Sequence, residues 1–142
     1  MTARTTARTT ARTTATTTHD GVSGTSGPVY PVDLLTDIEV AYGFRKLSET
    51  QQYAVKVRRS SDDTTQDIGF GEDNLLDETA LIAFTGAGDG FIDTFYDQSG
   101  NNRNLTASVT TRQPKIVNAG AVLKVADSVR CDFDGTDDCL FS

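Results

Sequence analysis

From residue 53 onward the apolar side chains fall into short runs, and Gly, Asn, Asp or Pro interrupts each of them. Many short strands between frequent turns build a β-sandwich or barrel. Residues 53–59, YAVKVRR, alternate apolar and polar, which predicts a strand with Tyr53, Val55 and Val57 facing inward. The polar turn SSDDTTQD leads into a second short strand over 67–70. Residues 90–96, GFIDTFY, set Phe91, Asp93 and Phe95 on one face and Ile92, Thr94 and Tyr96 on the other. Aromatics on both faces predict a central strand. Further short strands are expected over 104–108, 115–118, 121–125 and 129–133.

Two short helices are expected beside the strands. In residues 32–45, Leu34, Leu35, Ile38, Ala41 and Tyr42 recur at helical spacing, with Gly43 weakening the end. In residues 76–84, Asp77 can cap, acids occupy the first turn, and Ala80, Leu81 and Phe84 form an apolar stripe.

The length of 142 residues suits one domain. Three regions differ in composition: a Thr/Ala/Arg arm at 1–18, a Gly/Ser linker at 19–30 and a β-rich domain at 31–142. The arm repeats TART three times and then decays. Beyond Met1 it has no large apolar residue and cannot fold alone. Threonine disfavours helix, so an extended chain is the better local form. Arg4, Arg8 and Arg12 would then project from one face, about 13 Å apart.

The net charge of −7 is unevenly spread, because the arm holds three arginines and no acid. Removing those three from 13 basic residues leaves 10 against 20 acids, so the rest carries −10. An acidic body repels nucleic acid and anionic membrane at long range. The arm is either a solvated tail or a segment that seeks an acidic protein surface, nucleic acid or lipid head groups, and charge alone does not choose among them. As a docking segment it would use Arg4, Arg8 and Arg12 in charge-assisted bonds to carboxylates. No run of apolar residues is long enough for membrane insertion. The N-terminus has arginines but no apolar core, unlike a secretory signal, and its strict repeat is unlike a transit peptide.

Cys131 and Cys139 are too few for a disulfide framework. Their spacing allows a bridge across a short hairpin, and equally two free thiols. The only histidine, His19, lies in the linker and is expected to be exposed, which leaves no Ser/His/Asp set. The segment TGAGDG lacks the lysine and the order of a phosphate-binding loop. Glycoside hydrolysis needs two carboxylates about 5 to 10 Å apart, one of them protonated by its surroundings. The acids here sit mostly in turns (Asp62, Asp63, Asp137 and Asp138), where they bond water or nearby backbone. No catalytic residue is therefore expected. Calcium is the one ligand to weigh, because Asp97, Ser99 and Asn101 alternate in a Gly-containing loop. The loop lacks the EF-hand glycine position and closing Glu, and the other reading is a polar turn in which Asp97 and Asn101 bond the turn backbone.

Four segments together carry a family likeness. FYDQSGNNRNLTA at 95–107 resembles the D-x-SGN-G-N-x segment of laminin-G and concanavalin-A-like domains. CDFDGTDDCLF from Cys131 resembles the FDG-x-DD-Y-L segment that follows it there. VRRSSDDTTQDIGF at 57–70 and QPKIVNAG at 113–120 look like the subset found in phage virion proteins and related bacterial particles. The order of segments is also similar to the catalytic sandwich of B-type α-L-arabinofuranosidases. The likeness covers 41–142 and implies a mainly β fold, a partial concanavalin-A-like sandwich with two short helices and an extended arm. A complete sandwich continues with several more strands, so the chain is expected to be part of a longer protein or to complete its sheet against another subunit. Cys139 stands where an aromatic is usual.

The likeness implies a non-enzymatic structural subunit of a phage or phage-like particle, attaching a fibre, spike or decoration through its arm. Capsid, portal or tail proteins are the implied partners, a homo-oligomer the implied state, and a virion or extracellular particle the implied location. The alternative is a carbohydrate- or receptor-binding module that recognises a host glycan. Tyr42, Tyr53 and Tyr96 are its aromatic candidates, although their patterning says core. A glycosidase fragment is the third possibility, but in the arabinofuranosidases the catalytic acids lie beyond the matched segments, so no catalytic role carries over.

Overall fold

The computed structural model describes residues 27–142. Arg4, Arg8, Arg12 and His19 lie outside the described residues. In chain order the elements are β1 (Tyr53–Arg59), β2 (Thr65–Gly69), α1 (Glu78–Thr85), β3 (Gly90–Phe95), β4 (Leu105–Thr106), β5 (Lys115–Asn118), β6 (Ala121–Val122), β7 (Lys124–Val125) and β8 (Ser128–Val129). The main sheet is antiparallel and ordered β2-β1-β3-β5-β6, so β3 is central as its two-sided aromatics predicted. One edge of β3 is shared: Gly90 and Phe91 pair with β5, while Thr94 and Phe95 pair with β4. Strands β7 and β8 form a separate hairpin. The result is a mainly β, curled, sandwich-like fold.

The core forms where the apolar halves of β1, β2, β3 and β5 meet α1. Val55, Val57, Ile68, Leu81, Ile92 and Ile116 are wholly buried there. Each such side chain contributes about 1.5–3 kcal/mol. Helix α1 starts as its sequence predicts: Asp77 caps it, its carboxylate accepting the Ala80 N–H at 2.9 Å. It stops at Gly86, whose φ of 60° favours glycine.

Two β-bulges correct the expected strand faces. Between Tyr53 and Val55 the register on β2 advances only from Gly69 to Ile68, so Ala54 is an extra residue in β1. The bulge takes Tyr53 out of phase. It is 42% exposed, whereas Ala54, Val55 and Val57 are buried. At the bulge Gly69 is required, since a Cβ there would lie 2.6 Å from the Gln52 carbonyl oxygen. The second bulge places Asp93 between Ile92, opposite Val57, and Thr94, opposite Lys56. It turns both Ile92 and Phe95 into the core, although plain alternation puts them on opposite faces.

The helix expected over 32–45 does not form. A single 3-10 turn, Val32–Leu34, is all that appears there, so the described residues hold one α-helix and not two. The backbone groups of this segment find distant partners instead. Val32 N–H donates to the Leu47 carbonyl, Ala41 N–H to the Asp97 carboxylate, and Leu47 N–H to the Gln98 amide oxygen. Asp37, at φ 63°, also breaks the helical path. Leu34 and Leu35, two residues of the expected stripe, are 70% and 63% exposed. Three other expectations shift less. The second strand covers Thr65–Gly69, residues 121–125 split between β6 and β7, and the expected strand at 129–133 keeps only Val129, in β8. No helix among the described residues is long and apolar enough to cross a membrane.

Candidate functional site

The polar residues of the SGN segment come together just after β3, where they hold residues 38–47 against the sheet. Asp97 is 2% exposed and Gln98 1%. One oxygen of Asp97 accepts the N–H groups of Ala41 and Ser99, each at 2.9 Å. The other accepts the Ser99 hydroxyl at 2.7 Å and the Arg103 N–H at 3.1 Å. Gln98 accepts the Leu47 N–H at 2.7 Å and donates to the carbonyls of Gly43 and Arg45, each at 3.0 Å. Burial by itself would push the Asp97 carboxyl up. The hydrogen bonds from Ser99, Ala41 and Arg103 overcome that and hold it below its ordinary value.

The calcium candidates Asp97, Ser99 and Asn101 are therefore brought together, but around donors. Both Asp97 oxygens face N–H or O–H groups that a cation would have to displace. The Asn101 backbone N–H donates to the Ser99 hydroxyl at 3.3 Å, but its side chain does not bond the turn. Its amide reaches back to the carbonyls of Ile38 at 2.8 Å and Glu39 at 3.0 Å. Chemically this is a clamp for backbone.

A cleft of about 600 Å³ lies where the ends of β3 and β5 meet the last segment of the chain. Phe91, Gln113, Lys115, Asn118, Asp132 and Asp138 contribute to its lining. Its Gln113 belongs to a buried polar network: Arg58 donates from Nε to the Gln113 amide oxygen at 2.6 Å and from Nη1 to Asp63 at 2.6 Å. Gln113 in turn donates to Asp93 at 3.2 Å and to the Ala107 carbonyl at 2.9 Å. The Phe91 ring lies beneath two cations, Arg58 at 4.8 Å and Lys115 at 5.5 Å.

The FDGTDD turn forms one rim of this cleft. Oxygens of Asp134, Asp137 and Asp138 lie within 4.8 Å of one another. Asp134 accepts the N–H groups of Thr136, Asp137 and Asp138, and these bonds hold its carboxyl below the ordinary value. Asp138 accepts the Asp134 N–H at 2.8 Å. Every displaced carboxyl among the described residues moves down: Asp62, Asp89, Asp97 and Asp134. Charged and hydrogen-bonded carboxylates of this kind position backbone and bind donors; a general acid needs the opposite shift.

The three tyrosines divide. Tyr42 packs edge-on against Phe95 at 5.9 Å and donates to the Arg103 carbonyl. Tyr96 donates to Asp67 at 2.6 Å, and burial together with Asp67 pushes its phenol up. Tyr53, its ring tilted against that of Tyr96 at 6.2 Å, is the exposed member. Cys131 and Cys139 are both free and half-buried, and burial pushes the Cys131 thiol up. Sequence reasoning missed Arg58, Gln98 and Gln113. The available signal was Arg58 following Val57 inside an alternating strand, a polar group on a face that nothing in the sequence marks as covered.

No protein-family profile and no curated protein matches the chain. Two solved structures resemble part of it. One is a GH54 α-L-arabinofuranosidase soaked with a cyclic sulfate inhibitor, at 33% identity and a TM-score of 0.43, over 47% of this chain and 15% of that one. The other is an arabinofuranosidase complexed with arabinofuranosyl-α-1,2-xylobiose, at 33% identity and a TM-score of 0.43, over 47% of this chain and 14% of that one. The matched part thus spans a small fraction of either enzyme.

Proposed function

We propose that the chain is a non-enzymatic structural subunit of a phage or phage-like particle, and that it attaches through Arg4, Arg8 and Arg12 of its arm. The distribution of charge carries this reading. Seven of the body's ten cations are paired with the body's own acids: Arg58, Arg59, Arg103, Arg112, Lys115, Lys124 and Arg130. Outside the body, three more arginines recur at a fixed interval with no acid among them. A regular row of cations on an otherwise acidic chain suits a carboxylate-bearing protein surface, such as a capsid, portal or tail subunit. Quantitative mass spectrometry of purified particles tests this. The chain is expected at a fixed copy number relative to the major particle proteins, and its loss on repeated density-gradient purification would contradict the reading.

The second reading, a glycan-binding module for host recognition, is favoured by the cleft beside Phe91. Amides, hydroxyls and carboxylates around an aromatic ring can bond sugar hydroxyls while the ring packs on a sugar face. It ranks second because Arg58 and Lys115 already occupy the ring. Calorimetric titration with host cell-wall oligosaccharides tests it: binding that Phe91→Ala abolishes supports it, and the absence of binding removes it.

A further inference from the structure

The three most exposed large apolar side chains among the described residues stand together in the sequence: Val29 at 70%, Leu34 at 70% and Leu35 at 63%. They sit on a turn that the body holds in place. Tyr30 is buried, and its hydroxyl donates to the Asn74 amide oxygen at 3.0 Å. The Val32 N–H donates to the Leu47 carbonyl at 2.9 Å. The Asp33 carboxylate accepts the Ser48 hydroxyl at 2.9 Å and the Glu49 N–H at 2.8 Å. These bonds fix the 3-10 turn Val32–Leu34 on the sheet and leave its leucines in solvent. An apolar pair that is already ordered loses little entropy when it is covered, which is the condition a contact surface needs.

Its complement lies on the other side of Pro31. A single depression of about 340 Å³ has Pro28, Val29 and Pro31 on its apolar wall and Arg45 and Lys46 on its polar side. Asp73 also borders it, but its carboxylate accepts the Leu75 N–H at 3.0 Å. Neither Arg45 nor Lys46 forms an ion pair among the described residues, although seven other cations of the body do. Lys46 lies 5.2 Å over the Tyr30 ring instead. The turn carries the opposite charge. Asp37, just past Leu35, is exposed and likewise forms no ion pair among the described residues. An apolar knob with an acid and an apolar socket with two bases are thus one 3-10 turn apart, roughly 6 Å.

We infer that this patch pairs with itself in a second copy of the chain. About a twofold axis beside Pro31, Leu34 and Leu35 of each copy enter the depression of the other, and Asp37 of each meets Arg45 and Lys46 of the other. A twofold contact needs a surface that complements itself, so that each residue and its partner meet twice. Knob and socket on either side of one proline meet that need within a small interface. The pairing uses none of Arg4, Arg8 and Arg12, so it stands or falls apart from the reading of the arm.

The test is made on the full chain. Sedimentation velocity over a series of micromolar concentrations is expected to show a monomer–dimer equilibrium. Leu34→Asp/Leu35→Asp should raise its dissociation constant by about tenfold or more while leaving the melting temperature unchanged, since both side chains are exposed in the monomer. Asp37→Asn, which tolerates the positive φ at that position, should weaken the dimer less and reduce its salt dependence. A second measurement needs no variant. Isotope-labelled and unlabelled chains are mixed and treated with a zero-length carbodiimide, which joins amines to carboxylates in contact. A link from Asp37 to Lys46 that joins a labelled to an unlabelled peptide is expected in the dimer band. A chain that stays monomeric throughout overturns the proposal, as does a dimer that survives Leu34→Asp/Leu35→Asp. Asp37–Lys46 links confined to single copies overturn it too, and so does growth beyond a dimer through the same leucines, because a twofold contact closes at two.

Discussion

The Asp97 carboxylate accepts the Ala41 N–H at 2.9 Å across 56 residues of sequence. That bond, with those of Gln98, ties an irregular segment to the sheet without a strand or helix in the segment itself. Tyr42 and Phe44 are thereby laid on Phe95, at ring distances of 5.9 and 5.0 Å.

Asp97→Ala is expected to destabilise the domain by about 3 kcal/mol, because it strands the N–H groups of Ala41, Ser99 and Arg103. Asp97→Asn, which keeps one acceptor oxygen, is expected to lose about half as much. Urea unfolding followed by tyrosine fluorescence measures both, and equal midpoints for wild type and Asp97→Ala would refute the clamp.

Acid should act through the same residue. Asp89 and Asp97 both have carboxyls held below their ordinary value, by Lys115 and Ala119 around Asp89 and by the clamp around Asp97. A depressed carboxyl contributes stability above its unfolded value of about 3.9 and loses it as the pH falls through the lower folded value. Stability should be nearly flat from about pH 7 to 5 and fall steeply below about pH 4. In Asp97→Asn that fall should be shallower, as urea midpoints across the range would reveal.

Arg58→Ala is expected to cost about 2 to 3 kcal/mol, since it leaves the buried Gln113 oxygen without its donor. The exposed half of the network, the Arg58–Asp63 contact, is worth little, because Asp63 is 73% exposed. Asp63→Asn should therefore change the melting temperature far less than Arg58→Ala. A reversed order would show that charge, and not satisfaction of Gln113, is what matters.

An aryl α-L-arabinofuranoside should remain unhydrolysed by the full chain. On the rim of the cleft, the Thr136, Asp137 and Asp138 N–H groups hold the Asp134 carboxyl below its ordinary value, the opposite of the shift a general acid needs. Release of the phenol above buffer, lost in Asp132→Asn or Asp138→Asn, would make the chain an enzyme.

The alternating pattern of YAVKVRR and the two-sided aromatics of GFIDTFY made β1 and β3 legible, and Asp77 marked the start of α1. Periodicity misled at residues 32–45 because it counts only local bonds. The side chains of Asp97 and Gln98 lie some 50 residues away and out-compete the helix for its backbone. The strand faces slipped for a related reason, since the bulges at Ala54 and Asp93 exist only once two strands are paired. Of the candidate site, the trio at Asp97 was found and its neighbourhood was not. Gln98 and Gln113 are neutral amides with no spacing signature, and only burial reveals their work.

Attachment is decided most directly by charge reversal in the arm. Wild type and Arg4→Glu/Arg8→Glu/Arg12→Glu chains are produced alongside particle assembly, and the particles are banded on a density gradient. Wild type should band with the particles, and the variant should stay in the soluble fraction with an unchanged melting temperature. A variant that bands as the wild type does, or a wild type absent from the band, would contradict attachment through the arm.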